Sequence, residues 1–489
     1  MSFDLIPEPQ SVTLNGEAVD SDDAGAPVPV ALPLVGRISE DRDIDDIAGV
    51  FPTQLADDIE AATGLRWDIA SDVMVAGLPA PNAATAHPVP PHASCWKSFI
   101  TLRLDPSSLE PQEYRLTIAR SGIDVVGGDT EGVRNGVQTL RQIIRQCAPA
   151  LPRLVIADKP AYKVRGYYLD ATRGRVPTLD WLKTWADRLC LYKYNQLQLY
   201  IEHTFMFDDL SETWRGTSPL KPADIIAFDE YCARLGIELV PSVSTFGHQY
   251  MAMRTRELRH LGEFPEDADR RYGFVERQRH HTLNITEPES LAFSFKLIDA
   301  YMQLFRTRKF NICGDETFDL GRGRSKPEAE RRGVAAMYAD FVSQLCRHLS
   351  ERGREPMFWG DIAVEMPQIL GLLPDNVTLL NWLYAPGIGE DKVRLVAQAG
   401  APQYVCSAVW CWNALLPRLD DSWNNISRLA RYGVKYGAVG YLVTDWGDYG
   451  HVNDPRMAVS GMIFGAQCAW NPMAHIQGEA GCGDGEEGS

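Results

Sequence analysis

The sequence predicts an α/β chain, with a parallel (β/α)8 TIM barrel preceded by a small α+β N-terminal domain. Three observations carry that expectation. Past residue 160, short apolar runs alternate with amphipathic helical segments. Eight such runs can be picked out, the number that a closed barrel needs. Before residue 160, strand-like and helical stretches occur without the regular alternation. A doubly wound open sheet is the other arrangement that alternation allows. No GxGxxG follows a first strand, so nothing points to dinucleotide binding. The domains are expected at 1–160 (α+β), 161–472 (barrel) and 473–489 (a small, acidic, disordered tail).

Each element has a local reason. "PVALPLVGRI" and "SFITLRLD" have the apolar, branched character of strands. "DIAGVFPTQLADDIEAATG" places apolar residues at helical spacing and closes on glycine. "GLPAPNAATAHPVPP" reads as a loop. "EYRLTIA", a tight turn "RSG" and "IDVVGG" form a hairpin, followed by the helix "GVRNGVQTLRQIIRQC". The eight barrel runs are "VRGYYLD", "YNQLQLYI", "IELVPSV", "KFNICGD", "PMFWGDI", "VTLLNWL", "YVCSAVW" and "AVGYLVTDW". Between them lie helices such as "LDWLKTWADRLCLY" and "GVAAMYADFVSQLCRHLSERG", and "DPRMAVSGMIFGAQCAW" follows the last run.

Composition bounds the function. The chain has 489 residues, 45% hydrophobic and 23% charged, as in ordinary soluble globular proteins. A formal net charge of -17 disfavours nucleic acid and anionic membrane as partners. The basic stretch over residues 254–281 has acids interspersed and reads as a solvated loop. No charged-then-apolar leader opens "MSFDLIPEPQ", and no run of 18 apolar residues occurs. The 10 cysteines include no CxxC pair, which fits buried free thiols in a reducing cytoplasm rather than a disulfide framework or a zinc site. No metal or cofactor is expected.

In such a barrel the C-terminal strand ends build the active site. The residues there are Asp170, Glu202, His203, His248, Asp315, Glu316, Trp359, Asp361, Trp382, Tyr384, Trp410, Trp412, Trp446 and Asp448. Acids and indoles recur around this rim. Indole faces suit the C–H faces of a pyranose, and carboxylates suit its hydroxyls. Paired carboxylates suit cleavage of a glycosidic bond.

The adjacent pair Asp315–Glu316 raises a narrower possibility. Neighbouring strand residues point to opposite faces, so two acids gripping one bond would come from different strands. One acid of the pair would then serve the leaving group. The other would hold a 2-acetamido group whose carbonyl oxygen attacks C1, as in substrate-assisted glycosidases. Its charge would also help keep the first acid protonated. The competing reading of "GDE" is a helix N-terminal cap.

"NICGDE" resembles the H-x-G-G-D-E signature of the β-N-acetylhexosaminidases of glycoside hydrolase family 20. "LIPEPQSVTL", "RLVIADKPAYKVRGYYLDATR", "GIELVPSVSTFGH" and "TDWGDYGH" extend the resemblance over most of the chain. With "LYIEHTF" and "DLGRGR", they look most like a compact, bacterial, intracellular subgroup. The resemblance implies an exo-acting, retaining enzyme that releases terminal β-linked GlcNAc or GalNAc from small oligosaccharides through an oxazoline intermediate. It implies Glu316 as acid/base and Asp315 as the residue that orients the acetamido group. Arg165 would hold the ring's 3- and 4-hydroxyls, and His248 would lie beside the acid. Trp359, Trp382 and Trp446 would wall the pocket, with Trp410 and Trp412 at the same rim. Asp448 would take the outer hydroxyls. The chain departs from the pattern at Asn311 and Cys313, in "IEH" of the second run, and in lacking the tyrosine of the seventh, for which Tyr384 would substitute. Other specificities (lacto-N-biosidase, 6-phospho or 6-sulfo sugars), a glucosidase pairing Glu316 with Asp361 or Asp448, and a non-catalytic sugar-binding barrel stand as alternatives.

Overall fold

The computed structural model describes residues 3–14, 28–70 and 98–474. The proline-rich loop over 77–91 and nearly all of the acidic tail lie outside the described residues.

Among the described residues, the N-terminal part is a seven-stranded sheet backed by two helices. Its hairpin pairs Tyr114–Ala119 antiparallel with Gly122–Gly127, as the "RSG" turn predicts. The run "PVALPLVGRI" is not one strand. Val30–Ala31 pairs with Ala150–Leu151 in a separate small sheet, and Arg37–Glu40 enters the main one. Pro33 between them lacks the N–H that a continuous ladder needs. The first helix begins at Val50, later than its apolar spacing suggests, because the Asp46 carboxylate caps the N–H groups of Val50 and Phe51.

The second helix, Thr130–Cys147, carries Val133, Val137, Leu140 and Ile144 as one stripe into the N-terminal core. Asp129 caps it by accepting from the Gly132 N–H at 2.7 Å. Gly136 lets the helix lie close on the sheet, since a Cβ there would sit 2.5 Å from Val125. The polar face of this helix is buried as well. Arg134 donates to the backbone carbonyls of Leu235 and Gly236, and Gln142 to Leu191 O. The helix is therefore packed between its own sheet and the barrel.

The barrel is closed and all eight of its strands are parallel. In order they are Arg165–Asp170, Gln196–Ile201, Glu238–Val243, Lys309–Asn311, Glu355–Trp359, Thr378–Trp382, Gln403–Ala408 and Gly440–Asp445. Each coincides with one of the eight apolar runs, two of them starting one residue earlier, at Glu355 and Gln403. Along the first strand Tyr167 faces outward to Trp185 and Tyr194, while Tyr168 faces the interior against Tyr200, Trp359 and Trp446. Among the described residues no helix is long and apolar enough to cross a membrane.

Candidate active site

The fourth strand stops at Asn311, and the segment over residues 312–316 is the centre of the site. Cys313, Gly314 and Glu316 have φ of 61°, 81° and 48°, all in the left-handed region. Three contacts hold this backbone. Asn311 Oδ1 accepts from the Cys313 N–H (2.9 Å), the Tyr338 hydroxyl donates to Gly314 O (2.8 Å), and the Glu316 N–H donates to Asp361 Oδ2 (3.1 Å). The strand rule of opposite faces therefore fails for Asp315 and Glu316. Both carboxylates turn to one histidine, with His248 Nε2 lying 3.4 Å from Asp315 Oδ2 and 3.5 Å from Glu316 Oε2.

His248 stands just past the third strand with a φ of 54°. Gly247 before it is packed so closely that a Cβ would lie 2.6 Å from Asp315 O. Burial pushes the imidazole towards its neutral form, but Asp315, aided by Glu316, outweighs burial and raises its pKa to about 8. Burial raises the Glu316 carboxyl above its ordinary value; Asp315 adds to that rise and His248 opposes it. Asp361 is buried beside both acids, and burial and Asp315 push its carboxyl well above the ordinary range. It accepts a backbone N–H and begins the short helix Asp361–Glu365.

Linkage makes the His248 shift measurable. A raised histidine pKa stabilises the fold fully below about pH 6.5, and that contribution is lost as the pH rises through about 8. A shift of this size corresponds to about 2 kcal/mol. The stability gap between the wild type and His248→Gln is expected to shrink by that order between pH 6 and 9 in urea melts. A gap that is flat with pH would show that His248 is uncharged throughout.

The aromatic residues converge as expected. Trp359 is fully buried and packs on Tyr168 (4.9 Å between ring centroids) and Trp446 (5.5 Å). Trp446 Nε1 donates to the Tyr384 hydroxyl at 2.7 Å. Tyr384 stacks on Trp382 (5.1 Å) and meets Trp412 edge-on (5.5 Å), and Trp412 stacks on Trp410 (5.4 Å). Trp410 Nε1 donates to Tyr384 O, so the indoles of the seventh-strand end and the aromatic pair of the sixth form one wall.

Arg165 does not reach this rim. It opens the first strand, at the opposite end of the barrel, where its guanidinium meets Glu131 (2.9 Å), Gln112 (2.7 Å) and Lys193 O (2.8 Å). Its ring-holding assignment is corrected by this placement. Arg165 joins the N-terminal part to the barrel floor, beside Trp470, whose indole N–H donates to Asp158. Breaking a buried pair of this kind costs about 3 kcal/mol or more. Arg165→Met is therefore expected to lower the unfolding free energy by that order while leaving kcat of the folded enzyme unchanged. A large kcat loss in a fully folded variant would contradict this placement.

The arginine at the rim is Arg173. Asp170 Oδ1 accepts from the Thr172 and Arg173 N–H groups, and Oδ2 from the Gly447 N–H, which ties the first and eighth strand ends together. Arg173 then reaches Asp448 (2.9 Å) and Glu202 (3.2 Å) and lies 5.1 Å from the Trp446 ring centre. Burial opposes ionisation of Glu202, but His203, Arg173 and His248 outweigh it and hold its pKa well below the carboxylate range. The signal for Arg173 was present in the sequence: a basic residue three positions past Asp170, at the strand's C-terminal end. The basic loop also contributes to the rim. Arg259–Asp269 and Arg270–Asp267 are surface pairs, as its mixed charges suggest, but Gln278 Nε2 donates to Asp448 O and fastens the loop to the eighth strand end.

Comparison with known proteins places the fold in a family. Residues 162–412 match the catalytic domain of glycosyl hydrolase family 20, and residues 45–159 match domain 2 of the same family. A β-hexosaminidase of Akkermansia muciniphila is 30% identical over 341 residues, which is 62% of this chain and 65% of the relative. A lacto-N-biosidase of Bifidobacterium bifidum is 26% identical over 315 residues, 61% of this chain and 26% of that protein. The matched stretch thus spans less than two thirds of either relative. The crystal structure of a β-N-acetylhexosaminidase from Bacteroides fragilis superposes with a TM-score of 0.69 at 18% identity, covering 95% of this chain and 90% of that one. By the family match across both parts of the fold, the chain belongs to glycosyl hydrolase family 20.

Proposed function

We propose that the protein is an exo-acting, retaining β-N-acetylhexosaminidase that removes terminal β-linked GlcNAc or GalNAc from small oligosaccharides. The observation that carries this reading is the pair Asp315–Glu316, turned by a left-handed backbone to the same side of the chain and facing one histidine. Glu316, its carboxyl raised by burial, protonates the leaving oxygen. Asp315 accepts from the acetamide N–H and turns its carbonyl oxygen towards C1. The Tyr384 hydroxyl already accepts from Trp446 and so has its own proton to give to the acetamide carbonyl. The oxygen–C1 bond forms as the glycosidic bond breaks, giving an oxazolinium ion whose N–H stays hydrogen-bonded to Asp315. Glu316, now a carboxylate, takes a proton from the water that opens it, which retains configuration.

Arg173 and Asp448 take the outer hydroxyls, and Trp446 and Trp382 wall the ring, with Trp359 buried behind Trp446. Asp361 does not suit the nucleophile role of a two-carboxylate glucosidase, because its Oδ2 accepts the Glu316 backbone N–H and burial with Asp315 opposes its ionisation. The free cysteines among the described residues, seven of them buried, support a reducing, cytoplasmic setting. Hydrolysis of p-nitrophenyl GlcNAc against p-nitrophenyl glucose tests the reading. Turnover of the first alone is expected. Turnover of both, or of neither, would contradict it.

A further inference from the structure

Two side chains at the pocket base are left poorly satisfied. Neither ring nitrogen of His248 has a hydrogen-bond partner of good geometry, and Asp315 Oδ1 has none, although both residues are buried. The His248 side chain is only 2% exposed. Its Nε2 is aimed between two carboxylate oxygens at 3.4 and 3.5 Å, distances long for a hydrogen bond. They match a different geometry. Ligand atoms 2.0–2.1 Å from a tetrahedral zinc ion stand about 3.3 Å from one another. One ligand atom from each of His248, Asp315 and Glu316 lies within 4.8 Å of the others.

The charge balance also fits. Two carboxylates and a neutral imidazole around a divalent ion sum to zero, so zinc takes the place of the protons held by His248 and Glu316. One histidine and two carboxylates form a mixed nitrogen and oxygen set that zinc accepts. Glu316 keeps 33% of its side chain exposed, which gives an ion a way in. The fourth position of a tetrahedral ion would open towards the pocket, where the leaving oxygen of a substrate is expected.

We propose that His248, Asp315 and Glu316 form a three-ligand site for Zn2+, and that zinc bound there inhibits the enzyme in competition with substrate. The ion would hold Glu316 and Asp315 away from the leaving oxygen and the acetamide.

The test is a calorimetric titration of the whole protein with zinc chloride, alongside Glu316→Gln, His248→Phe and a control, His280→Gln, which alters a histidine paired with Asp319 outside this cluster. Thermal melts establish which variants are folded. One ion per site is expected in the wild type and in His280→Gln. Each folded variant of the cluster is expected to lose at least the roughly 10–100-fold in affinity that removal of a mere outer-shell partner costs. Inhibition of wild-type turnover is expected to raise the apparent KM and leave kcat unchanged. Co2+ in place of zinc should give visible bands of tetrahedral intensity in the wild type that are missing from Glu316→Gln. Absence of zinc binding in the wild type, or unchanged zinc binding in a folded Glu316→Gln or His248→Phe, would overturn the proposal. None of the binding arms depends on which sugar is hydrolysed.

Discussion

Glu316→Gln lowers kcat for a GlcNAc-terminated oligosaccharide by about 10³-fold, within the 10²–10⁴ that a positioned general acid supplies. The Gln side chain fills the same space and the backbone N–H of residue 316 keeps its contact to Asp361, so the fold is expected to stand. The loss depends on the leaving group. A sugar hydroxyl must be protonated as it departs, whereas p-nitrophenolate leaves with little help. The first turnover of the p-nitrophenyl glycoside therefore suffers much less, and added azide or formate restores the slow second step. Comparison of kcat/KM for the two substrates in the variant, which reports the first step alone, is the measurement. Equal loss on both would mean that Glu316 is not the acid.

Asp315→Asn is the second large effect. In a buried site, loss of a carboxylate aimed at developing positive charge costs about a hundredfold or more in rate. The substitution keeps the size of the side chain and removes its charge, so KM is expected to change little while kcat falls. A thiazoline that mimics the cyclised intermediate should lose affinity by about the same factor as kcat/KM, because both report stabilisation of the same charge. The change also removes the carboxylate that offsets burial at His248, so the histidine pKa is expected to fall from about 8. Unchanged thiazoline binding would assign Asp315 to scaffolding instead.

Much of the fold was legible because strand and helix periods differ and the apolar runs were short and alternated with helical segments. The rim was legible for a related reason: once eight runs are aligned as parallel strands, their C-terminal residues must meet. Two features were not. The left-handed backbone at Cys313 and Glu316 has no local signature, since neither residue type favours it. It is imposed by Asn311, Tyr338 and Asp361, two of them from distant segments. The choice between Arg165 and Arg173 depended on where the first strand begins. Arg165 is its first residue and so lies at the barrel floor, while Arg173 follows its last. The rim rule alone would have selected Arg173.

The break in "PVALPLVGRI" is a third case. Its apolar content is that of a strand, yet its two halves join different sheets, and Leu34 between them is 79% exposed. Composition could not reveal this, because proline interrupts a ladder only where its missing N–H is needed.

The central claim is that the substrate's own acetamido oxygen is the nucleophile, and one series tests it most directly. In p-nitrophenyl glycosides whose acetamido methyl carries none, one, two or three fluorine atoms, each fluorine withdraws electron density from the carbonyl oxygen and barely changes the leaving group. The account predicts that kcat/KM falls at every step, by at least about a hundredfold across the series, or ~2.7 kcal/mol in the barrier. A kcat/KM that stays level across all four substrates would contradict it.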